Sequence, residues 1–213
     1  GEQARFDALP AAYSRLYLCI AGELAAVICI HDPLRREAKD ATHALHALGI
    51  DKVVMMTGDN HRTAESVAAK VGVDEFFAEV LPEDKASFIR SEKAIGRTVI
   101  MVGDGVNDSP ALSEADAGIA ISTGAAIARE IADITVASED LFALVTLRRL
   151  SEELMNRIQH NYRFIVAFNF SLIVLGVLGI LPPTTSALLH NMSTLGISLK
   201  SMTNLLPGGD AQE

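Results

Sequence analysis

Residues Met101 to Leu112 read MVGDGVNDSPAL, an apolar run followed by two carboxylates, two glycines and a proline in close succession. Thr98 to Val102 predicts a buried strand. It ends in a tight loop holding Asp104, Asn107 and Asp108, and a helix follows from Ser109. Pro110 falls in the first turn of that helix, where a missing amide donor costs nothing. Two carboxylates on one short loop between a strand end and a helix start make a place for a cation.

Toward the N-terminus the same pattern recurs. Lys52 to Asn60, KVVMMTGDN, is a short apolar strand running into Thr57, Gly58, Asp59 and Asn60, with a helix from about Arg62 to Val71 stopped by Gly72. Glu75 to Val80 is a further apolar segment, after which Leu81, Pro82, Glu83, Asp84 and Lys85 open a helix to about Ala94. Strands alternating with helices of this length predict an α/β fold, a parallel sheet covered on both faces. Working residues in such sheets collect in the loops at the carboxyl ends of the strands. Thr57 with Gly58, Lys85, and Asp104 with Asp108 are therefore expected at one edge. Phosphoryl transfer needs what they offer: a hydroxyl and backbone donors for the equatorial oxygens, an ammonium for their charge, and carboxylates for magnesium. Asp104 is assigned as a direct magnesium ligand and Asp108 as a direct or water-bridged one. Asp108 could equally cap the helix that follows. Lys85 reads either as a surface lysine or as an anion contact, since a cation at a helix start sits poorly with the helix dipole unless an anion is near.

Further upstream, Leu16 to Ile30 reads as an apolar hairpin about Gly22 and Glu23. Its Cys19 and Cys29, the two cysteines of the chain, are expected to be buried, reduced thiols. Asp32 followed by Pro33 has the form of a helix start, with an apolar stripe at Ala38, Ala41, Leu45 and Leu48 up to Gly49. The net charge of -9 over 213 residues argues against a nucleic-acid partner. The opening GEQARFDALP carries no signal-peptide pattern and has the look of a cut through a longer chain.

Downstream, Ala117 to Ile121, a short helix Ala125 to Ala132 and Ile134 to Val136 complete the sheet, with Asp116 and Asp133 as turn or cap residues. From Leu141 one long helix begins, amphipathic at first and then apolar. No charged residue occurs from Phe164 to Leu189, and Pro182 with Pro183 divides the run. The two parts, about Tyr162 to Leu181 and Thr184 to Leu206, are each long enough to cross a bilayer at roughly 20 residues per span. Arg148, Arg149, Arg157 and Arg163 precede the first span, and this places the sheet domain on the cytoplasmic side. The second span is dense in polar residues, among them His190, Asn191, Ser193 and Thr194. Such a set is costly unless it faces a pathway or other helices.

TGDN, PEDK and GDGVNDSPAL, in that order, resemble the phosphorylation domain of P-type cation-transporting ATPases, members of the haloacid-dehalogenase superfamily. The resemblance implies a Rossmann-like parallel sheet of the haloacid-dehalogenase type followed by a transmembrane α-helical hairpin. It also implies catalytic roles for Thr57, Gly58, Asp59, Lys85 and Asn107, with Mg2+ on Asp104 and Asp108 and ATP as phosphoryl donor. Asp32, Pro33 and Arg35 resemble the hinge between nucleotide-binding and phosphorylation domains. Residues 1–30 would then close the nucleotide-binding domain, 31–140 form the phosphorylation domain, and 141–213 supply a connecting helix and two transmembrane helices. Partners follow: an actuator domain, the rest of the nucleotide domain and upstream transmembrane helices of the same polypeptide, and the lipid bilayer of a bacterial plasma membrane, crossed more than once.

One part of the family's pattern is missing. Its phosphorylated aspartate opens an Asp-Lys-Thr-Gly-Thr motif, and that motif does not occur in these 213 residues. The chain is thus expected to be the carboxyl-terminal portion of an ATPase, inactive by itself. The last helix resembles that of the heavy-metal branch through His190 and Thr194, with Asn169 and Ser193 as further ion-ligand candidates. Imidazole with amide and hydroxyl oxygens suits zinc, cobalt or nickel better than copper(I). The alternatives from other classes are a soluble-type phosphatase of the same superfamily and a noncatalytic membrane-anchored module.

Overall fold

The computed structural model describes residues 14–30, 33–104, 107–121, 130–137 and 140–206. The chain divides into two compact units, Gly1–Val145 and Thr146–Glu213. Asp32 and most of the short helix expected at 125–132 lie outside the described residues.

The first unit opens with an antiparallel hairpin, β1 (Ser14–Ile20) and β2 (Glu23–Ile30). Ala21 and Gly22 turn it with φ of 53° and 86°, and positive φ at both central residues matches the twist of the flanking strands. Nothing among the described residues covers its faces: Leu16, Leu18, Ile20, Leu24, Ile28 and Ile30 are all exposed. The cysteines are correspondingly not buried as expected. Cys19 is exposed and Cys29 half-buried, both as free thiols, because among the described residues no second layer packs on this two-stranded sheet.

Helix α1 spans Ala38–Ala47. It begins after Glu37 rather than at the Asp32–Pro33 pair, and Pro33 and Arg35 lie in an exposed lead-in. Arg35 and Arg36 would have occupied the first turn of the longer helix, where the dipole disfavours cations. Then follow β3 (Val54–Met56), α2 (His61–Val71), β4 (Glu75–Phe77) and α3 (Pro82–Ala94). The Asn60 side chain caps α2 by accepting the Thr63 amide at 3.1 Å. Next come β5 (Ile100–Gly103), α4 (Ser109–Glu114), β6 (Ala117–Ile121) and β7 (Ile134–Val136).

The strands pair in parallel as expected, but in two sheets, β3–β4 and β5–β6–β7. Among the described residues β3 pairs only with β4, and β5 only with β6. The expected burial of β5 is therefore only partly met: Ile100 and Val102, which share one face, are 45% and 38% exposed. Among the described residues the strand has a neighbour on one edge only, and that face lacks a covering layer.

The core between helices and strands is built from Ile89 of α3, Leu112 of α4 and Ile119 of β6, with the small residues Ala86, Ala111 and Ala120 around them. Small side chains bring α4 close onto β6: a Cβ on Gly118 would lie 2.5 Å from the Leu112 carbonyl oxygen. Aspartates at strand entries tie the layers laterally. Asp74 accepts the Val53 amide at 2.6 Å, Asp116 the Val99 amide at 2.8 Å, and Asp133 the Gly118 amide at 2.8 Å. The Val99 N–H, with Lys93 beside it, holds the Asp116 carboxyl below its ordinary value.

Helix α5 runs from Phe142 to Val177 and α6 from Pro183 to Ser201. The first stops short of Leu181 because Gly179 takes φ of 71° and bonds back to the Gly176 carbonyl, with the Ile180 amide on Leu175. The second likewise ends before Leu206. Among the described residues one helix, Phe142–Val177, is long and apolar enough to cross a membrane by length and composition. Helix α6 does not meet that measure.

Candidate functional site

Three loops at the carboxyl ends of parallel strands are linked to one another. After β3, the Thr57 hydroxyl donates to Asp59 Oδ2 at 3.0 Å and accepts the Asp59 amide at 3.1 Å, closing a tight turn. That turn is stitched to the loop after β4 by two backbone bonds, Glu79 N–H to Asp59 O at 2.9 Å and Val80 N–H to Thr57 O at 3.0 Å. Gly58 sits between them, exposed, as does Asp59.

The β4 loop leads directly into α3, where the Asp84 carboxylate accepts the Leu81 amide at 3.2 Å and fixes the helix start. One position on, Lys85 reaches the third loop: its Nζ lies 2.7 Å from Asp108 Oδ1, with side chains only 15% and 13% exposed. Asp108 occupies the N-cap position of α4 but makes no side-chain cap bond. Its carboxylate faces the lysine instead, so the side-chain cap that the sequence allowed is not formed. Lys85 is correspondingly a largely buried ion-pair partner of Asp108.

Gly103, at the end of β5, was not singled out by sequence reasoning. A Cβ there would lie 2.5 Å from Asp108 Oδ2 and 2.8 Å from Asp108 Cβ. Only glycine leaves room for this carboxylate against the strand end. The GDG spacing was the available signal. Asp104 and Asn107 are exposed on the same loop, and residues 105–106 lie outside the described residues.

The donor set suits magnesium: two carboxylates from one loop give hard oxygen ligands, and the ion usually completes its octahedron with water and phosphate. Among the described residues no three His, Cys, Asp or Glu side chains gather as a protein-only metal cage.

Within the second unit, His190 Nδ1 and Asn169 Oδ1 lie 2.8 Å apart, joining α6 to α5. Ser193 and Thr194 are turned onto their own helix, both hydroxyls donating to the His190 carbonyl at 2.8 and 3.1 Å. An open groove of about 660 Å³ beside this pair is lined chiefly by apolar residues, among them Leu172, Ile173 and Val177.

Loops at the carboxyl ends of parallel strands that bring a lysine onto an aspartate, against a glycine strand end, suit a phosphate-handling hydrolase. The haloacid dehalogenase-like hydrolase family model matches residues 1–116, and the chain belongs to that family. Within it, the chain is similar to metal-transporting P-type ATPases. It is 47% identical over 176 residues to copper-transporting ATPase 2 of Rhizobium meliloti (strain 1021), covering 83% of this chain and 21% of the relative. It is 40% identical over 187 residues to a manganese-exporting P-type ATPase of Mycobacterium bovis (strain ATCC BAA-935 / AF2122/97), covering 87% of this chain and 26% of the relative. The crystal structure of a zinc-transporting PIB-type ATPase in the E2P state matches with a TM-score of 0.80 at 30% identity, over 96% of this chain and 33% of that one. The chain thus spans a third or less of each.

Proposed function

We propose that this chain is the part of an ATP-driven heavy-metal exporter that carries the magnesium and phosphate contacts of the phosphorylation domain and the last two transmembrane helices. The single observation that carries the reading is the Lys85–Asp108 pair, 2.7 Å long and largely buried at the strand ends. An ammonium held against a carboxylate that forgoes its helix cap supports a site for a polyanion with its cation.

In this reading the Thr57 hydroxyl turns from Asp59 to a phosphoryl oxygen, and Gly58 lets the backbone approach it. Lys85 shares its charge between Asp108 and the phosphoryl group. Asp104 and Asp108 hold Mg2+, which when bound neutralises charge on the phosphoryl oxygens. Asp59 and Asn107 shape their loops, and Pro33 and Arg35, following Asp32, form the lead-in at the domain hinge. The nucleophile is an aspartate in a segment outside these residues. Among the described residues β3 and β5 each keep one edge unpaired and Ile100 and Val102 are exposed, which supports this, since each would gain from a further strand. The exposed hairpin supports a place for residues 1–30 at the margin of a nucleotide-binding domain, with 31–140 and 141–213 as the phosphorylation and membrane parts.

For the ion, the Asn169–His190 contact supports a divalent cargo of the zinc, cobalt or nickel class, with Ser193 and Thr194 oxygens on the same turn. Both helices would cross a bacterial plasma membrane, with the sheet unit in the cytoplasm. The test uses the full-length protein. Asp104→Ala abolishes metal-stimulated ATP hydrolysis, whereas His190→Ala retains nucleotide binding and loses most of the metal response. Full metal stimulation in either variant counts against the role given to that residue.

A further inference from the structure

The C-terminal end of α6 is held by a residue outside the candidate ion site. A helix leaves its last carbonyls without intrahelical partners, and they carry the negative end of its dipole. Here the Arg157 guanidinium, from α5, donates to the carbonyls of Ser201 at 3.3 Å, Thr203 at 2.6 Å and Asn204 at 2.9 Å. One turn along α5, Asn161 Nδ2 donates to the Ser201 hydroxyl at 3.1 Å. The third rung of this ladder is Asn169 on His190. Arg157 and Asn169 are separated by about 18 Å of helix, and Ser201 and His190 by about 16 Å, at 1.5 Å per residue. The two antiparallel helices therefore keep step from the clamp to the His190 pair. A slip of one turn, about 5.4 Å, would break every rung.

We infer that Arg157 is a positioning residue that locks the axial register of α6 against α5 and so fixes where His190 stands relative to Asn169. A planar donor fork spanning several carbonyls does this more rigidly than a lysine, a single point charge on a flexible stem. In the exporter, and resting on the reading above, the clamp makes α5 and α6 move as one piece, so that a shift of α5 carries His190 with it. Arg157 touches neither the ion nor a phosphate in this scheme.

The test is made in the full-length protein in lipid vesicles, with Zn2+, Co2+, Ni2+ and Mn2+ each added alone. Arg157→Ala retains ATP-dependent phosphorylation, raises the half-maximal concentration of the stimulating ion about tenfold, and lowers the ions moved per ATP. Arg157→Lys falls between wild type and Arg157→Ala. Register is read independently by oxidative cross-linking of Asn161→Cys with Ser201→Cys, which forms readily with Arg157 present and slowly in the Arg157→Ala background. Equal cross-linking in both backgrounds overturns the clamp whatever the activity shows. If cross-linking depends on Arg157 but half-maximal ion concentration and ions per ATP are unchanged in Arg157→Ala, its effect on His190 is refuted. If no added ion stimulates the wild-type protein, the divalent-cargo reading fails while the cross-linking result still decides the clamp.

Discussion

Asp108 is held from two sides, by the Lys85 ammonium at 2.7 Å and by the bare backbone of Gly103. Removing either support should act differently. Gly103→Ala places a methyl group where Asp108 Cβ and Cγ already lie, and neither is the flexible end of a long chain. We expect overpacking of about 1–3 kcal/mol in stability, with a much larger loss in magnesium-dependent turnover, because the carboxylate itself must move. Denaturant unfolding beside ATP hydrolysis in the full-length variant checks this. Equal turnover with reduced stability would show that the Asp108 position is not critical. Asp116 makes a separate, pH-linked prediction. The Val99 amide and then Lys93 lower its folded pKa, so its contribution is fully present above the unfolded value near 3.9. That contribution is lost as pH falls through the folded value. Asp116→Asn should therefore lower the unfolding midpoint at neutral pH and converge with wild type in acid. A constant difference across that range would contradict it.

At the scale of elements, α3 does the most for the site, since it carries Lys85 at its start and Ile89 in the core. Ile89 is 2% exposed, so Ile89→Ala should cost about 2–5 kcal/mol, measured as a fall in thermal unfolding midpoint. A shift near zero would mean that α3 is anchored by something other than this side chain. The alternation of strands and helices was legible because period and breakers agree over the KVVMMTGDN and MVGDGVNDSPAL stretches. Ends of helices were less so. Asp32–Pro33 imitates a helix start that the following arginines disfavour, and Gly179 stops α5 ahead of the more conspicuous Pro182. The strand-end residues Thr57, Lys85 and Asp108 were legible from residue type and order. Gly103 was not, because its requirement comes from a carboxylate five residues later folding back onto it.

At the scale of the whole molecule, burial was the least legible property. Apolar patterning gives Cys19, Ile100 and Val102 an inward face, but it does not say which part of a polypeptide supplies the cover, and within the described residues that cover is absent. Exposed hairpin, single-edged β3 and β5, and a strand-end site with ammonium and carboxylates fit one account: phosphate contacts here, nucleophile elsewhere. The direct measurement is incubation with γ-labelled ATP and Mg2+, followed by acid quenching and hydroxylamine treatment. The account predicts acid-stable, hydroxylamine-labile label on the full-length protein, none on its Asp104→Ala variant, and none on the 213-residue chain alone. Label on the 213-residue chain, or undiminished label on Asp104→Ala, would contradict it.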